Sequence, residues 1–257
     1  MEFWDNYDHD DPKLTYIVEN IKSQEIEELI SYEFLGCECD NMCTSGQCTC
    51  LQRSGANYVY SDISALKNYV ISVTNENKPI YECNNNCKCC TKMCGNKLVQ
   101  LGPRKNLKIV KTENKGLGLF SADIIDKGNF ICEYAGEVIT QAEAHRRFAS
   151  YATMGLQHNY IFCINENFGS KNEKTFIDPT FYGNMGRYIN HSCDPNSVLI
   201  PIRVDNLPKL CIFAKESINK NTEITFNYGQ SSSNQNNKPC LCLSANCKGF
   251  MPYDGTV

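Results

Sequence analysis

The chain is 257 residues long and 42% hydrophobic, which is enough to build a real core in one or two domains. Its formal net charge of −4 at pH 7 argues against an autonomous nucleic-acid-binding protein and suits a basic partner. No apolar run approaches the roughly 18 residues of a membrane span, and residues 1–5 lack the basic start of a secretory signal, so we expect an intracellular protein.

The N-terminal 34 residues are polar and contain one amphipathic segment, residues 17–30. Its apolar side chains recur near helical spacing and its glutamates lie on the other face. The apolar positions are Ile17, Ile21, Ile26, Leu29 and Ile30, and the acidic ones are Glu25, Glu27 and Glu28. The pattern predicts a short helix that packs against the body of the protein or a partner.

The seventeen cysteines are odd in number, which argues against a complete set of disulfides; in a reducing compartment metal ligation explains them better. Within residues 35–102 they are spaced Cys-x-Cys-x3-Cys-x4-Cys-x-Cys and, 32 residues later, Cys-x3-Cys-x-Cys-x4-Cys. Such short spacings let thiolates converge on a tetrahedral zinc ion. The nine candidate ligands are Cys37, Cys39, Cys43, Cys48, Cys50, Cys83, Cys87, Cys89 and Cys94.

Nine thiolates are an awkward number for separate four-ligand sites, but they fit three zinc ions that share three bridging sulfurs. Such sites leave no open coordination position, so we predict a structural role. Free buried thiols are the alternative interpretation. Cys90 is a surplus thiol that could replace Cys89. Residues 51–82, rich in Asn, Ser, Tyr and Lys, are predicted to form a surface excursion.

Residues 107–111 alternate between apolar and polar side chains as a half-buried strand does, and a Gly-x-Gly turn follows them. In Lys115-Gly116-Leu117-Gly118 neither glycine carries a Cβ, so the backbone can pass close to a ligand. Alone, this pattern is weak evidence for a binding loop.

The middle of the chain is predicted to be mainly β with one inserted helix. The expected elements are a hairpin of two short strands in residues 130–139, a surface helix in residues 141–152, and strands in residues 160–164, 175–179 and 210–214. Cys132, Cys163 and Cys211 fall within these apolar strands and are predicted to be small core residues rather than metal ligands.

Residues 186–196 carry the densest set of chemically active side chains. Arg187, Asn190, His191 and Cys193 supply a guanidinium, a carboxamide, an imidazole and a thiol before Asp-Pro turns the backbone. A core strand could not satisfy this mixture, and a solvated loop has little use for it. For His191 the alternative is a core imidazole with both nitrogens satisfied within the protein.

Residues 223–228, Glu-Ile-Thr-Phe-Asn-Tyr, form the last predicted strand. Alternation places Phe226 and Tyr228 on one face of this strand. An aromatic pair that faces the same way normally indicates core packing.

The C-terminal segment begins with a polar, low-complexity linker over residues 230–239. The motif Cys240-x-Cys242-x4-Cys247 follows it. Its three thiolates are one short of a tetrahedral metal site.

The Gly-x-Gly turn, the Asn-His-Ser-Cys stretch, residues 223–228 and the final cysteines, in this order, resemble the SET domain of protein lysine methyltransferases. With the earlier cysteines, they resemble the pre-SET, SET and post-SET array of the suppressor-of-variegation class over residues 35–253. The resemblance implies a mainly β SET fold with short helices and a pseudoknot, an exception to the rule against threaded chains. It divides the chain into an N-terminal helical or polar segment (1–34), a pre-SET triangular zinc cluster (35–102), the SET catalytic domain (103–229), a flexible linker (230–239) and a post-SET tail (240–257).

The resemblance also implies a site for S-adenosylmethionine beside a channel for the substrate lysine. The implied cofactor-binding residues are Lys115, Gly116, Leu117, Gly118, Tyr160, Arg187, Asn190 and His191. The implied catalytic residues are Tyr228, Tyr160 and Phe226, the last at the position that controls the number of methyl groups. The chain departs from the family pattern at Leu117, where Trp is usual, and at Asn227, where Asp is usual.

By the same resemblance, three zinc ions occupy the pre-SET cluster and a fourth joins the tail to the SET domain. The implied ligands of the fourth ion are Cys193, Cys240, Cys242 and Cys247. With the tail fastened in this way, Phe250 and Tyr253 could wall the lysine channel.

The activity implied is methylation of a lysine on histone H3 in the nucleus, with the H3 tail or the nucleosome as substrate and the chromosome as location. The class points to lysine nine, with lysines four and thirty-six as alternatives. A weak or inactive zinc-stabilised chromatin scaffold and a methyltransferase of a non-histone protein are the other hypotheses. A nucleic-acid-binding zinc protein would need basic clusters near the cysteines, where Lys88, Lys92 and Lys97 are scattered. The sequence sets no oligomeric state.

Overall fold

The fold is taken from a computed structural model that describes residues 13–29, 34–40, 43, 47–54, 58–60, 69–71, 79–89, 94–156, 159–168, 171–229 and 238–252. In these residues the chain is mainly β with three short α-helices, Gln24–Leu29 (α1), Thr49–Ser54 (α2) and Gln141–Thr153 (α3). The predicted mainly β fold with short helices is confirmed. None of the described helices has the length and apolarity that crossing a bilayer requires.

Sixteen short strands and two 3₁₀ turns, Val99–Leu101 and Met185–Tyr188, make up the rest of the described secondary structure. The strands are Thr15–Tyr16 (β1), Ile21–Lys22 (β2), Tyr58–Tyr60 (β3), Tyr69–Ile71 (β4), Ile80–Tyr81 (β5), Leu107–Lys111 (β6), Leu117–Ser121 (β7), Phe130–Glu133 (β8), Glu137–Ile139 (β9), Phe162–Phe168 (β10), Lys171–Asp178 (β11), Tyr182–Gly183 (β12), Asn190–His191 (β13), Ser197–Arg203 (β14), Pro208–Ala214 (β15) and Thr225–Phe226 (β16).

Two four-stranded sheets form the body, with strand orders β10-β11-β9-β2 and β5-β14-β15-β8. The pairs β1–β12, β3–β4, β6–β7 and β13–β16 complete the described sheets. The main core is built from aliphatic side chains such as Leu119, Ile177, Ile212 and Ile224, all fully buried. Because both faces of these strands are covered, their sequences are runs of apolar residues rather than strict alternations of apolar and polar residues.

The N-terminal segment is a strand and a shorter helix rather than the single helix predicted for residues 17–30. Ile21 lies in β2, which pairs in parallel with β9, and its N–H donates to the carbonyl of Gly136 at 3.1 Å. The helix α1 begins only at Gln24. Pairing with an exposed sheet edge outweighs a weak local helical pattern, because the edge offers backbone hydrogen bonds that the isolated segment lacks.

Residues 130–139 contain two strands, but the predicted hairpin between them is wrong. Strand β8 pairs with β15 and strand β9 pairs with β11, so the connection crosses from one sheet to the other. Gly136 permits the crossing, since a Cβ at this residue would lie 2.6 Å from the backbone carbon of Asp178.

The helix predicted for residues 141–152 is confirmed as α3. Thr140 caps it, accepting a hydrogen bond from the N–H of Glu143 at 3.2 Å. The helix buries Tyr151, whose hydroxyl donates to Asp178 Oδ2 at 2.7 Å and ties α3 to the end of β11.

Residues 51–82 are not simply the surface excursion predicted, because Leu51, Tyr58 and Glu82 are buried. The Glu82 carboxylate accepts hydrogen bonds from the Tyr58 hydroxyl at 2.6 Å and from the N–H groups of Leu98 and Val99 at 2.7 and 2.9 Å. A buried carboxylate needs such donors. The segment therefore helps join the cysteine-rich part to the rest of the molecule.

The central Asn-His segment, β13, lies parallel to β16, with Asn190 opposite Thr225 and His191 opposite Phe226. Each of these strands has only two residues, so β16 is shorter than the predicted strand over residues 223–228. The pairing of β13 with β16 joins the two chain segments that are expected to form the pseudoknot.

Candidate active site and metal sites

The turn between β6 and β7 uses its two glycines for different reasons. Gly116 has φ +72°, a conformation that favours glycine, and nothing lies within 4 Å of the position of an added Cβ. At Gly118 an added Cβ would lie 2.8 Å from Glu223 Oε1 and 3.1 Å from Asn190 Nδ2. The first glycine therefore provides the turn and leaves open space, and the second makes room for polar side chains.

The Asn190 carboxamide is fixed by two acceptors. Its Nδ2 donates to the carbonyl of Leu117 at 3.1 Å and to Glu223 Oε1 at 2.9 Å. Both N–H bonds of the carboxamide are therefore used, and this network assigns its orientation. Lys115 also forms an ion pair with Glu223. Sequence analysis missed Glu223, although an acidic residue ahead of an otherwise apolar short strand is a signal that could have found it.

Both ring nitrogens of His191 have protein partners. Nδ1 accepts from the N–H of Tyr228 at 3.2 Å, and Nε2 lies 3.4 Å from Cys193 Sγ. Burial, with Lys248 and Lys115 nearby, lowers the pKa of His191 to about 4, so the ring is neutral. Because Nδ1 accepts, the proton sits on Nε2 and points to the Cys193 sulfur. The geometry matches the alternative of an imidazole satisfied within the protein.

Phe226 and Tyr228 lie together, as the alternation predicts, with ring centres 4.9 Å apart. Phe226 is only 2% exposed, and its ring contacts Tyr134 and Phe162 edge-on at 6.1 and 6.3 Å. The Tyr228 hydroxyl donates to the carbonyl of Ile189 at 2.8 Å. These rings form a dry aromatic wall around one phenol.

The pKa of the Tyr228 phenol is raised by burial and further by the nearby Tyr160 and Glu223. The phenol is therefore protonated at neutral pH and is not a general base. Its proton is engaged by the Ile189 carbonyl, so the oxygen lone pairs are what it offers to a substrate.

Tyr160 belongs to the strand predicted for residues 160–164, but it lies two residues before the start of β10. The guanidinium of Arg187 stacks on the Tyr160 ring at 4.5 Å and on the Tyr188 ring at 5.1 Å. The hydroxyl of Tyr134 donates to the carbonyl of Tyr160 at 2.7 Å. Arg187 therefore contacts the site through the ring of Tyr160.

A groove of about 530 Å³ runs between β10 and β14. It is lined by Phe162 and Ile164 from β10 and by Leu199 from β14. In the described sheets β10 is an edge strand, and β14 pairs with β5 only at Ile202 and Arg203. Two backbone edges are therefore available to an extended chain, the arrangement used to add a strand of bound peptide.

A buried ion pair connects the two strands that flank this groove. Arg203 donates to Glu166 from Nε at 3.0 Å and from Nη2 at 2.6 Å, and both side chains are 7% exposed. The bidentate pair joins β14 to β10 and sets the separation of the two strands. Asn227, which precedes Tyr228 in the sequence, also lines the groove.

All nine pre-SET cysteines are described, and seven of them are buried. Their sulfurs form groups in which every ligand atom lies within 4.8 Å of the others. These groups are Cys37, Cys48, Cys50 and Cys83; Cys37, Cys39, Cys43 and Cys48; and Cys37, Cys43, Cys83 and Cys89. The Sγ atom of Cys87 lies 3.6 Å from that of Cys50, and hydrogen bonding from Cys83 lowers the pKa of Cys94 to about 5.

The separations between these sulfurs, 3.6 to 3.9 Å for the hydrogen-bonded pairs, exceed the roughly 2.05 Å of a disulfide and suit thiolates around shared ions. The cluster could therefore hold metal ions. Cys90 lies outside the described residues.

The four cysteines expected at the C-terminal site also meet. The sulfurs of Cys193, Cys240, Cys242 and Cys247 lie within 4.8 Å of one another, and the N–H of Lys248 donates to Cys193 Sγ at 3.4 Å. All four are partly exposed, unlike most of the pre-SET thiols.

Three further cysteines and two aromatic residues complete the predicted set. Cys132, Cys163 and Cys211 are buried in strands, as predicted for core residues. Phe250 is 44% exposed, and Tyr253 lies outside the described residues.

Comparison with known proteins identifies the chain. The Pre-SET motif family matches residues 1–97 and the SET domain family matches residues 116–229. The chain is 39% identical over 225 residues to the probable histone-lysine N-methyltransferase set-23 of Caenorhabditis briggsae, covering 86% of this chain and 88% of that protein.

Solved structures agree with the sequence matches. The methyltransferase domain of human histone-lysine N-methyltransferase SETMAR superposes with a TM-score of 0.74 at 34% identity, covering 94% of this chain and 90% of that chain. KRYPTONITE, in complex with mCHH DNA, H3(1–15) peptide and SAH, gives a TM-score of 0.74 at 25% identity, covering 93% of this chain and 48% of that chain. The chain therefore belongs to the SET-domain histone-lysine N-methyltransferases.

Proposed function

We propose that this enzyme methylates a lysine of histone H3 from S-adenosylmethionine, with the histone tail bound as an added strand between β10 and β14. The observation that carries the proposal is the groove between two strand edges, which is lined by Asn227, the residue next to Tyr228. An H3(1–15) peptide in a solved relative supports the same class of substrate. We further propose that the protein acts in the nucleus on chromosomes.

The residues of the β6–β7 turn fit a cofactor with a charged amino-acid end. Gly116 leaves open space, and Asn190 keeps its carbonyl oxygen for an ammonium because its N–H bonds are already used. SAH in a solved relative supports this assignment. Lys115, Leu117, Gly118, Tyr160, Arg187 and His191 complete the proposed pocket. When bound, adenosylmethionine supplies the electrophilic methyl group.

The chain itself must deliver a neutral, oriented lysine amine. A lysine with pKa about 10.4 is protonated at neutral pH, and its deprotonation costs about 5 kcal/mol at pH 7. The buried ring of Phe226 and the partly buried rings of Phe162 and Tyr228 disfavour a charged ammonium and so lower that pKa. The Tyr228 oxygen then accepts an amine N–H and directs the nitrogen lone pair along the channel.

Zinc is the metal we propose for both cysteine sites, with three ions in the cluster of residues 35–102 and one at Cys193. Donor sets made only of thiols, without an open position, suit structural zinc. In this proposal the fourth ion holds the post-SET tail, residues 240–257, over the SET domain, residues 103–229.

Lysine nine is the proposed target, and a peptide array of the H3 tail with labelled adenosylmethionine tests it. Each lysine is replaced in turn by arginine, which keeps the charge and cannot accept the methyl group. We expect the signal to disappear only when lysine nine is replaced. Loss at lysine four or thirty-six would reassign the site, and no signal on any H3 peptide despite cofactor binding would favour a non-histone substrate or a scaffold.

A further inference from the structure

The carboxylate of Glu223 contacts residues of the turn between β6 and β7, which is proposed to bind the cofactor. Its Oε2 forms an ion pair with Lys115 and its Oε1 accepts from Asn190 at 2.9 Å. The same Oε1 lies 2.8 Å from the position of a Cβ on Gly118. Three residues proposed to hold the cofactor therefore converge on one carboxylate that no proposed role yet includes.

The backbone around Glu223 is held on both sides. The N–H of Ile224 donates to the carbonyl of Leu119 at 2.8 Å, and Asn196 Nδ2 donates to the carbonyl of Glu223 at 2.8 Å. These bonds fix the strand segment against β7, so the carboxylate has little freedom to move away from the turn.

The ion pair with Lys115 is shielded from solvent. The Lys115 and Glu223 side chains are 20% and 19% exposed. A pair at this depth is screened less by salt than a surface pair is. Lys115 is thereby held at the turn rather than extended into solvent.

The second contact decides what Asn190 presents to a ligand. With one N–H on the Leu117 carbonyl and the other on Glu223, the Oδ1 atom is the group left for a ligand. Without the carboxylate, the carboxamide could rotate and present a donor instead, which a cationic ammonium would not accept.

We propose that Glu223 is a positioning residue for the methyl donor. It fixes Lys115, Asn190 and the Gly116–Gly118 turn in the arrangement that binds the amino-acid end of the donor, and it acts through them. This inference rests on the proposed cofactor site, and it assigns Glu223 an effect on donor affinity rather than on the binding of the histone peptide.

Calorimetry with S-adenosylhomocysteine on the full chain tests the inference without relying on turnover. Glu223→Gln keeps the shape of the side chain but removes the charge that Lys115 pairs with. We expect its Kd to rise about tenfold, the size of effect expected on losing a hydrogen bond to a charged group. Glu216→Gln, which changes an exposed glutamate in the preceding turn, is the matched control and should leave Kd unchanged.

Steady-state kinetics and thermal melting separate positioning from a merely structural role. We expect Glu223→Gln to raise the KM for adenosylmethionine while the KM for the peptide stays within about twofold and the melting temperature matches that of the control. Lys115→Gln should weaken cofactor binding similarly, and the double variant should be no weaker than either single one, because the two residues act as a pair. Should Glu223→Gln fail to fold, Lys115→Gln carries the same comparison.

An unchanged Kd in Glu223→Gln, with a wild-type enzyme that binds, would overturn only the positioning role. A parallel rise in both KM values with a lower melting temperature would overturn it too, since the residue would then support the fold. A wild-type enzyme that fails to bind S-adenosylhomocysteine would remove the proposed cofactor site and this inference with it.

Discussion

Tyr228 has its hydroxyl, its N–H and its ring each held by a different part of the molecule. The hydroxyl donates to Ile189, the N–H donates to His191, and the ring packs on Phe226. The phenol proton is therefore committed, and the oxygen can act toward a substrate only as an acceptor. At the scale of single residues, this arrangement supports the proposed role of the Tyr228 oxygen in orienting a substrate amine.

Replacing Tyr228 with Phe should lower kcat by about 10²-fold or more, the usual consequence of losing one hydrogen bond that is aimed at the transition state. The Phe ring keeps the packing against Phe226, so cofactor affinity should change little. Single-turnover methylation of an H3 peptide measures the effect. Tyr182→Phe, which alters a 40% exposed tyrosine, is the control, and equal activity in both variants would exclude a catalytic role for the phenol.

The pH dependence follows from the raised pKa of Tyr228. In the proposed mechanism its neutral form is the active one, and a folded-state pKa above the ordinary value of about 10 keeps that form present through alkaline pH. The free substrate lysine meanwhile loses its proton as pH rises. We therefore expect kcat/KM to rise from about pH 7 to about pH 9.5 without a descending limb from this phenol. A fall in kcat/KM in that range, absent from Tyr228→Phe, would contradict the assignment.

Phe226 should set how many methyl groups are added. It has no hydroxyl to hold a water beside the amine, so the channel leaves room for di- and trimethyl-lysine. Phe226→Tyr should shift the products toward monomethyl-lysine, read by mass spectrometry of the peptide over time. Ring packing is preserved in this change, and an unaltered product distribution would refute the idea.

At the scale of an element, the turn between β6 and β7 contains two glycines that look equivalent in the sequence. Their backbone angles and their surroundings in the structure differ. Gly116 is required by its backbone angle, and Gly118 is required by the side chains of Glu223 and Asn190. A backbone requirement affects the fold, whereas a close contact affects the groups that form the site.

The pair Gly116→Ala and Gly118→Ala separates these two causes. Gly116→Ala should cost about 1 kcal/mol of folding stability for its left-handed backbone and leave the contacts of Glu223 intact. Gly118→Ala should push Glu223 and Asn190 apart, cost about 1–3 kcal/mol and abolish tight cofactor binding. Chemical denaturation and calorimetry measure the two quantities, and the reverse order of binding losses would count against the geometry.

At the scale of the whole molecule, two groups of thiols differ in exposure. Seven of the nine pre-SET cysteines are buried, whereas the four at the C-terminal site are partly exposed. Structural zinc, the metal proposed for both sites, contributes roughly 10 kcal/mol or more per ion. Each group should therefore hold a different part of the molecule together and release its metal at a different rate.

Chelation should remove the C-terminal ion first, with loss of activity while the body of the protein stays folded. Loss of the pre-SET ions should follow slowly and unfold the cysteine-rich part. Metal content by mass spectrometry, followed beside circular dichroism and activity, measures the order. Cys247→Ser should lower the zinc content by one ion per chain, and Cys132→Ala, a buried core change, should not. Simultaneous loss of all metal would contradict two independent sites.

The contacts in the interior of the site were the hardest part of the structure to predict from the sequence. The Gly-x-Gly turn, the Asn-His pair and the aromatic pair could be named because each carries a short local pattern. The contacts of Glu223, the Arg187–Tyr160 stack and the Arg203–Glu166 pair could not be predicted, since each joins residues far apart in the chain and no local pattern encodes such a contact.

Three properties of the protein could be determined from the sequence by itself: a mainly β fold, cysteines at metal-ligand spacing, and a SET-type order of motifs. These features depend on neighbours within a few residues, so local patterns encode them. Only the tertiary structure decided that residues 130–139 cross between sheets, that Ile21 belongs to a strand added at the edge of a sheet, and that Glu223 lies against the turn between β6 and β7. Those outcomes depend on which distant edges and side chains meet, because burial and backbone pairing are satisfied only once the whole chain has packed.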